Sequence, residues 1–364
     1  MSFMMKHDSL SKEEEQRAKD LLAKCVFVNA SEATHQDEFN EEFVAKCRKG
    51  GLDALHLTVS PTGNLETTLR SVCDWHSICD DLGKDKISIA ATTDQIREAK
   101  KEGRIALILG LQDISALGAG ALAPPDIRIL RILNLCRIKI VQITYNMRNF
   151  AADGADERTN CGLSKFGIQF VKEMNREGMV IDLSHTGIAT TLEVIEVSKD
   201  PVMFTHCGVR SLCDHFRNIN DEQIKAMAEK GGFMGIPALS VFLCPDGAKG
   251  STLDDYLNHI DYVVKLVGVD HIGVGTDIRD QEKTDSFTTH KQTGRADRGI
   301  LRRDLRPPAH AALMPRSVRY PKGMTEVDEY RNIVRGLVGR GYSDQEIAKI
   351  LGENFLRVFK EVCG

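Results

Sequence analysis

Residues 178–206 read GMVIDLSHTGIATTLEVIEVSKDPVMFTH, and this stretch decides the fold. Two apolar runs of strand length, 179–183 and 202–205, are each bounded by glycine or proline. A helical pattern of about 14 residues lies between them. The stretch therefore predicts a strand, a helix and a second strand parallel to the first. His185 and His206 follow the two strands, at the edge where α/β folds place their chemistry.

The same alternation of strand and helix patterns continues on both sides of this unit. Strand-like runs occur at residues 25–30, 52–59, 104–111, 139–144, 179–183, 202–205, 232–236 and 271–276, and a shorter run at 87–91 predicts a minor strand. Eight strands alternating with helices are typical of a closed (β/α)8 barrel, a TIM barrel. The alternative is an open doubly wound sheet, which usually has a glycine-rich turn after its first strand. The residues that follow the first strand here, VNASEA at 28–33, do not form such a turn.

One domain covering residues 1–364 accommodates these elements, since a chain of this length can bury one large core. The polar loop TYNMRNFAADGADERTNCG at 144–162 is long for a compact domain, which favours a role at the active site. The outer parts of the domain are an N-terminal helix at 11–23, an insertion at about 278–323 and C-terminal helices at 327–340 and 344–361.

The composition excludes several classes of partner. Forty-eight basic and fifty-two acidic side chains give a net charge of -4, which offers no field for nucleic acid or an anionic membrane. Residues 1–20 lack the apolar core of a signal peptide, and no later run is long and apolar enough to span a bilayer. We therefore expect a cytoplasmic protein. Its ten cysteines are then predicted to be reduced and mostly buried.

Several polar residues follow the predicted strands and would meet at one mouth of the barrel. The neutral imidazoles of His185 and His206, side by side, would suit zinc. Each histidine taken alone is also compatible with a core residue bonded to a backbone carbonyl. Asp277, after the last strand, is either a structural cap or a general base or ligand. Arg217 either pairs with an acid on the surface or grips a substrate carboxylate.

Five segments of the chain resemble the membrane (renal) dipeptidase family of zinc peptidases. They are GLSKFGIQFVKEMNREGMVIDLSHTG, PVMFTHCGVRSLCDHFRN, AEKGGFMGI, YVVKLVGVDHIGVGTD and GENFLRVF, and the resemblance runs in the same order from about residue 104 to the C-terminus. It implies a (β/α)8 barrel with two zinc ions, a dipeptide or a similar small substrate, and a homodimer.

The resemblance also implies roles for individual residues. His185 and His206 correspond to the two histidines that hold the second metal ion in the family. Asp277 corresponds to the aspartate that handles the proton of the bridging water. Arg217 corresponds to the arginine that grips the substrate carboxylate.

Three of the five metal ligands that the resemblance implies are changed in this chain. Ser31 and Ala33 stand where a His-x-Asp pair is expected after the first strand, and Gln112 stands where a bridging glutamate is expected after the third. Alanine binds no metal, and a neutral amide lacks the charge to hold two dications close together. The first metal site is therefore predicted to be absent. One zinc ion would remain on the two histidines, completed by Gln112, Asp277 or water; two ions or none are the alternatives.

Further residues near the mouth have more than one interpretation. Tyr145 and Asn146 begin the long loop and are predicted to bind substrate; Tyr145 falls near where several family members place a substrate-binding histidine. A His-x-Asp sequence at His35 and Asp37 comes a few residues after the first strand. It either folds back to the metal or stays in solvent. Cys207 is either a soft ligand or a small buried residue.

The predicted function is that of a dipeptidase-like hydrolase that cleaves a peptide or related amide bond in a small carboxylate-bearing substrate. Zinc on His185 and His206 would activate water and the carbonyl, while Asp277 would transfer the proton. Two alternatives stay open. The altered mouth would run a different reaction on a small amino-acid derivative, or the chain would be an inactive barrel that binds a ligand or a partner.

Overall fold

The computed structural model describes residues 10–60, 63–118, 125–279 and 316–364. Parallel strands form one sheet in the order β1-β2-β4-β5-β6-β7-β8-β9, and β3 pairs with the first half of β4. The predicted (β/α)8 barrel and the minor strand at 87–91 are thereby confirmed. The strands are β1 (Val28–Glu32), β2 (Ala54–Ser60), β3 (Ile87–Ile89), β4 (Ile105–Leu111), β5 (Ile138–Gln142), β6 (Val180–Asp182), β7 (Met203–Phe204), β8 (Phe233–Ile236) and β9 (Ile272–Val274).

Backbone hydrogen bonds beyond the ladders bring the first and last strands together. The amide of Asp277 donates to the carbonyl of Ser31 at 2.9 Å, and the amide of Ala33 donates to the carbonyl of Ile278 at 3.2 Å. The residues that follow β1 therefore meet those that follow β9. This seam closes the barrel and leaves a single ring of strand ends.

Helices connect the strands on the outside of the barrel. They are α1 (Lys12–Lys24), α2 (Glu41–Gly50), α3 (Leu65–Leu82), α4 (Thr93–Lys101), α5 (Ile129–Leu135), α6 (Lys165–Glu177), α7 (Ile188–Val197), α8 (Asp221–Glu229), α9 (Ser240–Leu243), α10 (Leu253–Val267), α11 (Arg316–Arg319), α12 (Arg331–Gly339), α13 (Asp344–Ala348) and α14 (Asn354–Cys363). Ser11 caps the start of helix α1. Its hydroxyl accepts from the amide of Glu14, and the Glu14 carboxylate accepts from the amide of Ser11. Such a capping box satisfies N–H groups that have no partner inside a helix.

The C-terminal helix closes one end of the barrel. Phe355 and Phe359 belong to the same buried cluster as the side chains inside the barrel. Asn354 Nδ2 donates to the carbonyl of Ile272 at 2.8 Å, at the start of β9, so this is the amino-terminal end of the strands. The interior side chains of this cluster include Val28, Ala54, Ile108, Ile140, Val180, Met203 and Phe233.

The long loop after β5 is ordered around one buried carboxylate. Asp153 is 2% exposed, and its oxygens accept from Arg148 Nε at 2.5 Å, from Thr159 Oγ1 at 2.9 Å and from the amide of Cys161 at 2.9 Å. The hydrogen-bonded guanidinium of Arg148 holds the pKa of Asp153 at about 2, so the carboxyl stays ionised. Since the amide of Gly187 donates to the carbonyl of Asp153 at 3.1 Å, the loop is also tied to the turn after β6.

Some predicted elements differ from the observed ones. The helix predicted at 344–361 is divided by a π-helical turn at Lys349–Glu353, and the segment predicted as helix from 327 begins with a 3-10 turn at Val327–Glu329. Helix α4 was not predicted. Most of the insertion at 278–323 lies outside the described residues, and the single domain over 1–364 stays a prediction.

All ten cysteines are free thiols in the structure. Five of them are buried, which agrees with their predicted use as small core residues. Among the described residues, no helix combines the length and the apolar character needed to cross a bilayer.

Candidate active site

Two imidazoles meet at the carboxyl-terminal mouth of the barrel. His185 follows β6 and His206 follows β7, and their Nε2 atoms are 2.9 Å apart. The ring centres are 5.0 Å apart and the ring planes differ by 64°. Exposed fractions of 7% and 1% show that both residues are buried. The structure thus brings together the two histidines that the sequence predicted to be neighbours.

Three mouth residues have left-handed backbone conformations. The φ angles are 62° at Asn146, 64° at His185 and 54° at Asp277. Side chains other than glycine rarely adopt such angles, which cost about 1 kcal/mol or more each. Among the described residues, Arg137 is the one other non-glycine residue with a positive φ. Strained backbone is thus concentrated where the strands end.

Hydrogen bonds hold the second nitrogen of each imidazole. His185 Nδ1 lies 2.7 Å from Asn146 Oδ1, and His206 Nδ1 lies 2.8 Å from Thr205 Oγ1. The Thr205 hydroxyl donates to Asp182 Oδ2 at 2.6 Å, and its amide donates to Asp182 Oδ1 at 3.0 Å. Metal-binding histidines in proteins are usually oriented in this way, through the nitrogen that does not face the metal.

Tyr145 covers one face of the His185 ring. Its ring stacks on the His185 ring with centres 4.1 Å apart and planes 22° apart, and 40% of the residue is exposed. Tyr145 and Asn146 therefore contact His185 from two sides. Their predicted contact with a substrate stays a prediction.

Arg217 is 4% exposed and lies beside the histidine pair. Its Nη2 donates to the carbonyl of His206 at 3.4 Å, its Nη1 lies 3.8 Å from Cys207 Sγ, and its guanidinium carbon lies 5.7 Å from the ring centre of Phe242. No carboxylate of the described residues forms an ion pair with it. A buried cation without an anionic partner is costly, so this environment suits an anionic group of a ligand.

A cavity of about 180 Å³ opens beside this guanidinium. Cys207, His185 and Arg217 line it from the mouth, and Glu157 and Asn160 line it from the long loop. The cavity therefore suits a small ligand.

Asp277 is a half-buried carboxyl at the seam of the barrel. Burial raises its pKa to about 6, against the opposing effects of the Arg217 charge and of the Ser31 hydroxyl, which donates to Asp277 Oδ1 at 3.3 Å. A carboxyl with this pKa can exchange a proton near neutral pH, which suits general acid–base catalysis.

The electrostatics keep His206 uncharged. Burial lowers the pKa of His206 well below its usual value, and the charge of Arg217 lowers it further. A neutral imidazole is the form of histidine that binds metal ions.

Comparison with known proteins identifies the family. The family model described as membrane dipeptidase (peptidase family M19) matches residues 18–286 and 317–363. The chain belongs to the membrane dipeptidase family, M19. This confirms the resemblance that the sequence segments indicated.

Curated relatives are similar over most of this chain. It is 29% identical over 262 residues to dipeptidase aclJ of Aspergillus oryzae and 27% identical over 301 residues to dipeptidase verJ of Clonostachys rogersoniana. The alignments cover 71% and 82% of this chain, but 52% and 66% of the two relatives. The chain therefore spans between about half and two thirds of the length of the curated relatives it matches.

Solved structures share the architecture of this M19 chain. A crystal structure of an amidohydrolase from Pseudomonas aeruginosa superimposes with a TM-score of 0.81 at 32% identity, covering 95% of this chain and 99% of that chain. The probable dipeptidase PvdM from the same organism has a TM-score of 0.79 at 19% identity, covering 97% and 99%. A metallopeptidase from Rhodobacter sphaeroides, solved with a phosphinate mimic of the dipeptide L-Ala-D-Ala, has a TM-score of 0.73 at 16% identity, covering 93% and 99%. The last two likenesses support the fold alone.

The M19 chain uses three expected ligand positions differently. The backbones of Ser31 and Ala33 make the barrel seam, and the Ser31 side chain bonds to Asp277. Gln112 follows β4 and is half-buried, and its carbonyl accepts from Gln142 Nε2 at 2.5 Å. A metal-binding role for the Gln112 side chain stays a prediction.

Two other candidates for metal ligands, the His-x-Asp sequence and Cys207, lie where a structural role accounts for them. His35 and Asp37 are exposed, at the start of a 3-10 turn at Gln36–Glu38, which corresponds to the solvent interpretation of the His-x-Asp sequence. Cys207 is 1% exposed, and burial raises the pKa of its thiol, as in a small buried residue.

Within the described part of the chain, the mouth offers a metal ion two imidazoles, those of His185 and His206. Among the described residues, no group of three or more His, Cys, Asp and Glu side chains converges on one point. The Nε2 atoms of His185 and His206, 2.9 Å apart, are close to the roughly 3.3 Å that separates two ligands of a tetrahedral zinc with bonds of about 2.0–2.1 Å. A first-site ion would lack both of its expected side chains, because Ser31 and Ala33 occupy those positions.

Three residues of the site were missed in the sequence. Asp182 and Thr205 support His206, and His56 lies inside the barrel against β4, where a Cβ added to Gly110 would lie 2.1 Å from His56 Nε2. A polar residue within an apolar strand, as in VIDL or ALHL, is the feature that would have drawn attention to two of them, because a buried polar group needs a partner.

Proposed function

We propose that this M19 chain is a metallohydrolase that cleaves a peptide or related amide bond in a small carboxylate-bearing substrate such as a dipeptide. The observation that carries the proposal is Arg217, a buried guanidinium without an ion-pair partner among the described residues, beside a histidine pair and a cavity of about 180 Å³. A free substrate carboxylate would supply the missing charge. The names of the curated relatives, both dipeptidases, support the same reaction class.

The residues of the chain would divide the work as follows. Arg217 binds the carboxylate and so fixes the end of the substrate in the cavity. Asp277, ionised above about pH 6, takes a proton from the attacking water and returns it to the leaving amine. Tyr145 and the long loop limit access of bulk water to the histidine pair. A divalent ion held by His185 and His206 would supply Lewis-acid polarisation of the carbonyl and lower the pKa of water.

The proposal includes one zinc ion per chain and a cytoplasmic location. One ion is supported by the two imidazoles whose Nε2 atoms face each other and by the loss of the first-site side chains at positions 31 and 33. A reducing compartment is supported by ten free thiols in the structure. A homodimer is proposed from family membership alone.

Metal analysis and dipeptide hydrolysis test the centre of the proposal. Protein purified without added metal should contain about one zinc ion per chain, and His185→Ala should lose it together with hydrolysis of Ala-Ala. Two ions would mean that other residues rebuild the first site. Absence of any dipeptide hydrolysis by folded, metal-loaded protein would overturn the proposal.

Arg217→Lys tests the carboxylate contact. We expect kcat/KM for Ala-Ala to fall about 100-fold, because a bidentate, desolvated contact worth about 3 kcal/mol is lost. Hydrolysis of the C-terminal amide of Ala-Ala, which has no carboxylate, should change little. Arg210→Lys is the matched control, since Arg210 lines the same cavity but pairs with Asp214. Equal losses for the acid and the amide would contradict the contact.

A second candidate is a different reaction on a small amino-acid derivative at the same mouth. It is favoured by the changed ligand positions Ser31, Ala33 and Gln112. Dipeptide turnover with kcat above about 10 per second, an ordinary enzyme value, would argue against it. The third candidate is a barrel that binds a ligand and has no catalytic activity. The raised pKa of Asp277 weighs against this candidate, because shifted pKa values are a property of catalytic carboxyls.

A further inference from the structure

The buried carboxylate of Asp182 determines which nitrogen of His206 carries a proton. A carboxylate can only accept, so the hydroxyl of Thr205, 2.6 Å away, must donate its single proton to Asp182. The same hydroxyl oxygen lies 2.8 Å from His206 Nδ1 and has only lone pairs left for that contact. His206 Nδ1 is therefore the protonated nitrogen, and Nε2 carries a lone pair.

Asn146 has the same effect on His185. Its side-chain oxygen Oδ1, an acceptor, lies 2.7 Å from His185 Nδ1, which makes that nitrogen the donor. Asn146 is 8% exposed and has a φ of 62°, a conformation that asparagine tolerates better than most residues. Stacking of Tyr145 on the ring adds a further restraint on its orientation.

The two assignments leave two lone pairs facing each other. The Nε2 atoms of His185 and His206 are 2.9 Å apart in a buried site, and two lone pairs at this distance repel unless a cation lies against both. The hydrogen bonds from Asp182 through Thr205 to His206 Nδ1 thus determine that Nε2, on the opposite side of the His206 ring, carries a lone pair.

We infer that Asn146 and Thr205 are positioning residues that lock both histidines in the Nδ1–H tautomer, so that their Nε2 lone pairs form a seat for one transition-metal cation. Imidazole ligands suit zinc, cobalt, nickel and copper rather than magnesium or calcium. The inference rests on the metal of the proposed function, but it concerns the tautomers, which exist without substrate or activity.

Nitrogen NMR of the metal-free protein tests the tautomers directly. In protein labelled with ¹⁵N-histidine and freed of metal by a chelator, His185 and His206 should both carry their proton on Nδ1. Cobalt titration with a competing chelator then measures affinity for the seat. Thr205→Val removes the hydroxyl at nearly constant shape and should weaken cobalt binding about 10–100-fold, the usual effect of removing the partner that orients a ligand.

Rescue and control variants separate positioning from folding. Thr205→Ser keeps the hydroxyl and should restore cobalt affinity. Asn146→Gly removes the acceptor without straining a left-handed backbone and should weaken binding, whereas Asn146→Asp keeps an acceptor and should retain it. Thr144→Val is the matched control, because the Thr144 hydroxyl bonds to the carbonyl of His185 and to Thr186 but to neither imidazole.

Three results would overturn the inference. The first is a proton on Nε2 of either histidine in the metal-free protein. The second is an equal loss of cobalt affinity in Thr205→Val and Thr144→Val. The third is a histidine pair that binds a proton but no cobalt. Failure of the proposed function has a different signature. In that case the tautomers and cobalt binding would be as described, while dipeptides would not be hydrolysed.

Discussion

Asp277 combines a strained backbone with a desolvated carboxyl. Its φ of 54° lies in the left-handed region, and burial raises its pKa from 3.8 to about 6. The strained backbone destabilises the folded protein at any pH, and the desolvation destabilises it when the carboxyl is ionised. Such costs at a strand end, beside Arg217 and the histidine pair, are typical of residues retained for chemistry.

The pKa of Asp277 predicts a stabilising mutation. The folded state binds the proton more tightly than the unfolded state, so this group makes the free energy of unfolding fall as pH rises from about 4 to 6. Asp277→Asn removes the charge and should raise the free energy of unfolding by up to about 3 kcal/mol at pH 7, with little change at pH 4 or below. Urea unfolding at the two pH values measures the difference.

The control for this prediction is Asp80→Asn. Asp80 forms an exposed ion pair with Lys84, and its removal should change stability by less than about 0.5 kcal/mol. A destabilised Asp277→Asn at pH 7, or equal gains at both pH values, would contradict the assignment of a raised pKa.

At the scale of elements, helix α10 supports the segment that carries Arg217. His259 of α10 is fully buried; its Nδ1 accepts from the amide of Val209 at 2.9 Å and its Nε2 donates to the carbonyl of Leu243 at 2.9 Å. The helix therefore joins the turn after β7 to α9. Burial lowers the pKa of His259 to about 4, which keeps the ring neutral and both bonds intact near neutral pH.

His259→Leu should lower the free energy of unfolding by about 3 kcal/mol at pH 7. The substitution leaves a buried amide and a buried carbonyl without partners, and each costs about 1–3 kcal/mol. The pKa of His259 in the folded state is below its unfolded value of 6.5. Because of this group, the free energy of unfolding of the wild type falls as the pH falls from about 6.5 to 4. The difference between variant and wild type should therefore shrink toward zero near pH 4 in urea unfolding.

His271→Leu is the control for His259→Leu. His271 is partly buried and its Nδ1 contacts one carbonyl, that of Gly232, at 3.1 Å. Its removal should cost less than about 1.5 kcal/mol, the value of one ordinary hydrogen bond. Similar losses in both variants at both pH values would show that α10 does not hold the Arg217 segment through His259.

On the scale of the whole molecule, the cysteines report the redox state and the packing. Cys73 and Cys161 are exposed, five cysteines are buried and three are intermediate. Burial raises the pKa of the Cys213 thiol to about 11 and that of Cys363 to about 12, so these two are poor nucleophiles at neutral pH.

Thiol titration without reductant should count ten thiols in denaturant. In the native protein we expect about two rapidly reacting thiols, because two cysteines are exposed. Cys73→Ser should remove one of the rapid reactions and leave the slow ones unchanged. Fewer than ten thiols in denaturant would mean that disulfides form and that the cytoplasmic location is wrong.

Much of the architecture was predictable because it depends on local periodicity. Apolar runs of strand length, separated by helical patterns, predicted the eight-stranded barrel, and the N-terminal helix predicted at 11–23 is observed at Lys12–Lys24. The break near Lys349–Glu353 was not predictable, since the pattern there is helical on both sides and the turn lies against β9, which is remote in the sequence. Helix α4 is short and was overlooked between two strand patterns.

The sequence by itself determined the barrel, the family and the list of strand-end residues, including His185, His206, Arg217 and Asp277. These features depend on the order and spacing of residues along the chain, which can be read directly from the sequence. Only the tertiary structure decided which atoms touch. Asn146 meets a histidine 39 residues away, and Asp182 reaches Thr205 23 residues away, through left-handed residues and strand register that no local pattern encodes. Distances, tautomers and pKa values follow from those contacts, because they depend on burial and on partners that are remote in the chain.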